Sequence, residues 1–228
     1  MKKSQLPRFF DAVFFDMDGL LVDSEPLWLE SETEITGAYG YMWTSADQVA
    51  CLGGPLWRVG EYMSAKCNGL ESGQYFTNKL IDVQCQKLRG RTPLMPGAIE
   101  LVHQLQAHGI ATALVSASPR VIVDAVLENL GDNLFPFSIS EDDVANTKPH
   151  PDAYLLAAKK CAAAIDKSLI FEDSLTGVSA AKASGAWLIA VPHLVHVIES
   201  EKVRSIVSLE QLSFVKLQEL FYDFSLDI

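Results

Sequence analysis

The sequence predicts an α/β fold, in which a doubly wound parallel sheet forms a core domain and a helical cap domain is inserted into it. Short apolar runs, rich in β-branched and aromatic residues, alternate with helical segments along most of the chain. This alternation is typical of parallel sheets whose strands are buried on both faces. Residues 26–92 interrupt it, because they are rich in helix formers and lack a comparable apolar run. We therefore expect residues 1–25 and 93–228 to form the core and residues 26–92 to form the cap.

Five segments are predicted as strands, because each is a short and continuous apolar run. They are residues 12–16, 111–115, 137–139, 169–171 and 187–191. The helices between them are predicted from residues that favour helix termini. These helices begin near Gly97, Ser118, Pro151 and Ser174. In sheets of this kind ligands bind at the carboxyl ends of the strands, so a cap inserted after the first strand would cover that edge.

The length and composition are those of a globular protein with one core domain, or with one core domain and a small second domain. The chain has 228 residues, of which 49% are hydrophobic and 21% are charged. Its formal net charge of −11 disfavours nucleic acid and anionic membranes as partners. The sequence has neither an apolar run of the ~20 residues that span a membrane nor the pattern of a signal peptide. We therefore expect a cytoplasmic location and, by default, a monomer.

Two aspartates follow the first predicted strand, in the segment Asp16-Met17-Asp18-Gly19. Residues i and i+2 of an extended segment point to the same side, so both carboxylates can face one crevice. Such carboxylates repel each other, and a divalent cation or a shared proton relieves the repulsion. Gly19 allows the chain to turn sharply. Taken alone, the segment is equally consistent with a solvated acidic turn.

Three further polar groups stand at the ends of predicted strands. Ser116 follows the second strand and precedes a helix, where hydroxyl and backbone N–H groups bind anions. Lys148 lies on a proline-containing loop after the third strand, and Glu172 and Asp173 close the fourth. Each has a simpler interpretation, as a helix cap, a surface lysine or a turn. Their common position at the carboxyl ends of strands predicts a single site.

These four segments, in this order, resemble the four motifs of the haloacid dehalogenase superfamily, and the resemblance covers nearly the whole chain. It is greatest to the β-phosphoglucomutase-like branch, which includes bacterial sugar phosphatases such as those acting on 2-deoxyglucose 6-phosphate. The resemblance implies a phosphatase that hydrolyses a small phosphorylated metabolite, with hexose phosphates as the leading substrates. It also implies an aspartyl-phosphate intermediate and a bound Mg²⁺, for which Mn²⁺ or another divalent cation is the alternative.

The resemblance further implies a catalytic role for individual residues. Asp16 is expected to be the nucleophile, and Asp18 the general acid and base. Both are expected to contact the phosphoryl group. Ser116, the backbone N–H of Ala117 and the ammonium group of Lys148 are expected to bind its oxygens.

The same resemblance implies a set of metal ligands. They are the carboxylate of Asp16, the backbone carbonyl of Asp18 and the carboxylate of Asp173. Glu172 and Gly19 are expected to support them. Mg²⁺ prefers one or two carboxylates together with phosphate and water, which agrees with this set.

Two departures from the mutases of the family favour hydrolysis. Trp28 stands where those enzymes carry a cap histidine, and the arginine of the segment 52–58, Arg58, is placed differently. Three alternatives remain: a sugar-phosphate mutase, a non-catalytic phospho-ligand binding protein and a receiver-type signalling domain. The presence of Asp18 argues against pure binding, and the inserted cap argues against a receiver domain.

Overall fold

The structure is a computed structural model, and it describes residues 10–51, 55–131, 134–192 and 197–225. The predictions that concern residues 1–9 and 52–54 lie outside this part of the chain. The chain divides into two compact units. The core unit contains residues 1–22, 94–117 and 132–228, and the helical unit contains residues 23–93 and 118–131.

Within the described residues, six parallel strands form the sheet of the core unit. They are β1 (Ala12–Phe15), β2 (Ala111–Val115), β3 (Ser138–Ile139), β4 (Ser168–Glu172), β5 (Trp187–Ala190) and β6 (Val203–Ser205). Their spatial order is β3-β2-β1-β4-β5-β6. The chain extends the sheet from β1 in one direction and from β4 in the other, which creates a switch point between these two strands. The predicted fold class is confirmed.

The predicted strands are all present, and each strand end differs from its prediction by at most one residue. The sixth strand, β6, escaped prediction because Val203–Ser205 contains a single apolar residue. It pairs with β5, where Leu188 lies opposite Val203. The helix predicted to start at Ser118 begins at Arg120 with Pro119 as its N-cap, a difference of the size usual at helix ends.

The α-helices of the described residues lie in both units. They are α1 (Glu25–Gly37), α2 (Ser45–Cys51), α3 (Leu56–Lys66), α4 (Gly73–Gly90), α5 (Ala98–Ala107), α6 (Arg120–Leu130), α7 (Asp152–Lys160), α8 (Leu175–Ser184) and α9 (Phe214–Ser225). None of these helices is both long and apolar enough to cross a membrane.

Helices α7 and α8 pack against the sheet of the core unit. Phe14 and Ile170, from the central strands β1 and β4, share one buried cluster with Tyr154 of α7 and Val178 of α8. Burial of such large apolar side chains contributes roughly 1.5–3 kcal/mol each. This packing fixes the positions of β1 and β4, and with them the positions of the residues that follow these strands.

The helical unit has its own apolar core, which includes Trp43, Met63, Phe76 and Leu80. Helices α3 and α4 approach so closely that a Cβ on Gly60 would lie only 2.1 Å from Oγ1 of Thr77. The helical unit includes the predicted cap residues 26–92. It also contains α6, which packs against α4. The division into a core and a cap at residues 25–26 and 92–93 stays a prediction.

The two cap residues that distinguish this sequence from the mutases have local contacts within the helical unit. Trp28 is partly buried and packs against the apolar core of the unit. The guanidinium group of Arg58 donates a hydrogen bond to the carbonyl of Ala50 at 3.2 Å.

Candidate active site

The predicted site residues follow strands that are neighbours in the sheet. The N–H of Asp16, just after β1, donates to the carbonyl of Phe171 in β4 at 3.1 Å. The N–H of Ser116, just after β2, donates to the carbonyl of Ile139 in β3 at 2.9 Å. The hydrogen bonding of the sheet thus continues into the segments that carry the site. Because the strands are parallel, these segments meet at the carboxyl edge of the sheet.

Lys148 is the centre of the polar contacts at this edge. Its Nζ donates to Oδ1 of Asp16 at 2.6 Å, to Oε1 of Glu172 at 2.7 Å and to the carbonyl oxygen of Val115 at 2.9 Å. The side chains of Lys148, Asp16 and Glu172 are all buried. Burial opposes the charge on Lys148, but the two carboxylates outweigh it and raise its pKa. The lysine is therefore a buried, permanent cation between two acids.

Three carboxylates converge beside this cation. One oxygen from each of Asp16, Glu172 and Asp173 lies within 4.8 Å of the others. Burial, together with the charge of Glu172, raises the pKa of Asp16 to about 8. Burial and the charge of Asp16 also raise the pKa of Asp173 well above its usual range. Lys148 alone does not offset the repulsion within this group.

The donor set fits a divalent cation. Oδ1 of Asp173 is buried and has no hydrogen-bond partner among the described residues. A buried acceptor without a partner is costly, and a bound cation would satisfy it. Hard cations such as Mg²⁺ take carboxylate oxygens as ligands. Asp16, Glu172 and Asp173 therefore offer carboxylate oxygens, within 4.8 Å of one another, whose chemistry fits such an ion.

Two glycines make room for the acidic side chains. Gly19 has a φ of +77°, and a Cβ there would lie 2.1 Å from Oδ2 of Asp173. A Cβ on Gly177, in the first turn of α8, would lie 1.9 Å from the carboxyl group of Glu172. Both positions exclude a side chain, so the backbone itself forms part of the wall around the carboxylates. Gly19 was among the predicted supporting residues, whereas Gly177 was not.

The remaining predicted residues lie around this cluster. Asp18 is partly exposed, and its charge contributes to the raised pKa values of Asp16 and Asp173. Ser116 is buried and directly follows Val115, whose carbonyl accepts a hydrogen bond from Lys148. Ala117 is exposed.

The structure thus brings Asp16, Lys148, Glu172 and Asp173 together. The catalytic and metal-binding roles of individual residues stay predictions.

Sequence reasoning missed Tyr154. Its hydroxyl donates to Oε1 of Glu172 at 2.5 Å, and its ring centroid lies 4.9 Å from Nζ of Lys148. In the sequence this residue reads as one more apolar position on the buried face of α7. The signal that was available is its place in the first turn of the helix that follows the Lys148 loop, which puts its side chain near the strand ends.

Known proteins resemble this chain over most of its length. Residues 10–185 match a family model described as haloacid dehalogenase-like hydrolase. Hexitol phosphatase B of Escherichia coli (strain K12) is 32% identical over 195 residues, which are 82% of this chain and 85% of that protein. The phosphorylated carbohydrates phosphatase of Thermotoga maritima is 31% identical over 179 residues, which are 77% of this chain and 82% of that protein.

Solved structures share the fold. The crystal structure of a β-phosphoglucomutase from Clostridium difficile matches 95% of this chain and 99% of its own, with a TM-score of 0.79 and 20% sequence identity. At this level of identity the likeness concerns the fold alone.

Proposed function

This chain belongs to the haloacid dehalogenase-like hydrolases and is a phosphatase, and we propose that it hydrolyses the phosphate monoesters of hexoses and hexitols with a bound Mg²⁺. The observation that carries the proposal is the contact of Lys148 Nζ with Oδ1 of Asp16, beside two further carboxylates. It pairs an anionic nucleophile with a cation that attracts phosphate. The names of the two phosphatase relatives support the substrate class.

Asp16 is the proposed nucleophile. One of its carboxylate oxygens attacks phosphorus, the bond between phosphorus and the ester oxygen breaks, and an aspartyl-phosphate forms. Burial raises the pKa of this carboxyl to about 8, so nearby positive charge has to favour its ionised form. The 2.6 Å contact with Lys148 supplies part of that charge.

Asp18 is the proposed acid and base. Its carboxylic acid protonates the alkoxide as the ester bond breaks. The carboxylate that remains then takes a proton from the water molecule that attacks the aspartyl-phosphate, which releases inorganic phosphate and restores Asp16. Asp18 is partly exposed whereas Asp16 is buried, and this difference suits a residue that exchanges protons with both substrate and water.

Ser116, the N–H of Ala117 and Lys148 are proposed to bind the oxygens of the phosphoryl group. Ser116 and Ala117 directly follow β2, the neighbour of β1 in the sheet, and Nζ of Lys148 lies 2.6 Å from Oδ1 of the proposed nucleophile. Phosphoryl transfer depends mainly on such positioning and on charge neutralisation.

Mg²⁺ is proposed to be held by the carboxylate of Asp16, the backbone carbonyl of Asp18 and Asp173, with Glu172 and Gly19 in support. When bound, the ion would neutralise charge on the transferring phosphoryl group. The unpartnered Oδ1 of Asp173 supports this ligand set.

A substrate panel tests the proposal. The purified protein is incubated with Mg²⁺ and with hexose phosphates, hexitol phosphates, phosphoglycolate and nucleoside monophosphates, and the release of inorganic phosphate is measured. We expect the highest kcat/KM with a hexose or hexitol phosphate. Isomerised sugar phosphate without release of phosphate would instead identify a mutase. Binding of these ligands without any turnover would identify a phospho-ligand binding protein.

A further inference from the structure

Tyr154 contacts both members of a buried ion pair, Lys148 and Glu172. Its side chain is fully buried. The hydroxyl donates to Oε1 of Glu172, and the ring lies 4.9 Å from Nζ of Lys148, within the range of a cation–π contact. The ring also packs against Phe14 of the central strand β1, with centroids 6.5 Å apart. The hydroxyl is therefore held in place by the apolar core as well as by its hydrogen bond.

Glu172 is confined on several sides. Its Oε1 accepts from both Tyr154 and Lys148, at 2.5 Å and 2.7 Å. Its Oε2 lies 3.5 Å from Oγ of Ser174. The glycine at position 177 leaves just enough space for the carboxyl group. Of these contacts, the short hydrogen bond from the uncharged hydroxyl of Tyr154 sets the direction of Oε1.

Lys148 has three N–H groups, and all three point at acceptors: Asp16, Glu172 and the carbonyl of Val115. A phosphoryl oxygen bound by this ammonium has to share or replace one of these acceptors. Glu172 competes with phosphate for this ammonium group, because its carboxyl oxygen lies 2.7 Å from Nζ and the side chain is fully buried. The hydrogen bond from Tyr154 draws electron density from Oε1 and so weakens that competition.

From these contacts we infer that Tyr154 is a positioning residue: its hydroxyl orients Glu172, and Glu172 directs the ammonium group of Lys148 toward Asp16 and the bound phosphoryl group. The inference rests on the proposed function. Tyr154 itself does not contact the reacting atoms; it acts through Glu172. Without the hydroxyl, Oε1 of Glu172 loses the contact that orients it, and Glu172 holds Lys148 more strongly and in a less favourable direction.

The test is a comparison of Tyr154→Phe with the wild type, using the sugar phosphate that the wild type hydrolyses best. Loss of one buried hydrogen bond to a charged group should lower kcat by about tenfold. KM should change by less than about threefold, because the alignment of Lys148 matters most in the transition state. Tyr62→Phe is the matched control. It removes a hydroxyl that donates to Asp47 at 2.8 Å in the helical unit, and kcat should stay at the wild-type value.

A double-mutant cycle tests the route through Glu172. In the Glu172→Gln background, Tyr154→Phe should have little further effect on kcat, because the two residues act as one unit. If the two effects multiply, the route through Glu172 is overturned. A wild-type kcat in Tyr154→Phe overturns the inference itself. Circular dichroism at the assay temperature establishes that each variant is folded.

A measurement without turnover separates this inference from the proposed function. The ¹⁵N resonance of the Lys148 ammonium group, assigned with Lys148→Arg, should shift in Tyr154→Phe and stay unchanged in Tyr62→Phe. The ring is retained in Tyr154→Phe, so the shift reports the lost hydroxyl. If the wild type hydrolyses no phosphate ester, the proposed function fails while this measurement still decides whether Tyr154 positions Lys148. An unchanged resonance in Tyr154→Phe overturns the inference.

Discussion

Nζ of Lys148 lies 2.6 Å from Oδ1 of Asp16, although 132 residues separate the two in the sequence. The contact joins the end of β1 to the loop before α7. It places the buried ammonium group of Lys148 next to the carboxyl group of the proposed nucleophile. Because Lys148 also contacts Glu172, and oxygens of Asp16, Glu172 and Asp173 lie within 4.8 Å of one another, the local charge is set by a small number of residues. Each of them gives a prediction that can be measured.

Asp16→Asn should abolish phosphatase activity while the fold survives. The amide is a poor nucleophile, and removal of a nucleophile typically lowers kcat by about 10⁴-fold or more. The matched control is Asp11→Asn, at the amino end of the same strand, where the side chain is exposed. It should retain wild-type activity. Turnover of Asp16→Asn within tenfold of the wild type would remove Asp16 from the role of nucleophile.

Removal of divalent cations with EDTA should eliminate activity, and Mg²⁺ should restore it. The reason is the group of Asp16, Glu172 and Asp173, whose mutual repulsion a cation relieves. Asp173→Asn should raise the Mg²⁺ concentration needed for half-maximal activity by at least about tenfold, as expected when a charged metal ligand is lost. Asp166→Asn, an exposed aspartate before β4, serves as the control. Full activity after rigorous removal of metal would contradict the proposed site.

Gly177→Ala should damage the site, whereas Gly37→Ala should not. A Cβ at position 177 would lie 1.9 Å from the carboxyl group of Glu172, while at position 37 it would meet nothing within 4 Å. Overpacking of this kind costs about 1–3 kcal/mol of unfolding free energy. Displacement of Glu172 should also lower kcat by at least about tenfold. Denaturant unfolding and the phosphate-release assay give the two quantities, and equal effects of the two substitutions would refute the predicted clash.

The stability of the helical unit should depend on the protonation of Glu32. This side chain of α1 is buried, and its Oε2 has no hydrogen-bond partner among the described residues. Burial raises its pKa from 4.5 to about 8. Between these values the folded protein keeps the proton that the unfolded chain has lost. The contribution of Glu32 to the unfolding free energy therefore falls as the pH rises from about 4.5 to about 8.

The variant Glu32→Gln isolates this effect, because glutamine does not titrate. Its unfolding free energy, relative to the wild type, should increase between pH 5 and pH 8 by on the order of 3–4 kcal/mol. Glu34→Gln is the matched control on the same helix, since the side chain of Glu34 is 61% exposed. It should follow the wild-type pH dependence. A pH-independent difference between Glu32→Gln and the wild type would show that burial does not raise this pKa.

Much of the fold was predictable, because buried parallel strands leave continuous apolar runs in the sequence. The catalytic candidates were predictable for the same reason: Asp16, Ser116 and Asp173 each follow such a run directly. Lys148 follows a strand of only two residues, β3, so its position depended on the resemblance and on the prolines around it.

The parts that escaped prediction depend on contacts between distant residues. Tyr154 is distinguished from an ordinary core residue only by the carboxylate that its hydroxyl meets. Gly177 is required only because Glu172 occupies the space above it. Strand β6 is defined by its partner β5, since three residues with one apolar side chain carry no periodicity. Pattern alone does not contain this information.

The absence of a side chain at position 19 bears on how the enzyme can be varied. Oδ2 of Asp173 occupies the volume that any Cβ at residue 19 would fill. A library that randomises the turn after the first strand would therefore yield inactive clones wherever this glycine is replaced, however well the new residue suits a turn. Engineering of the turn has to hold position 19 constant or redesign the segment around Asp173 at the same time.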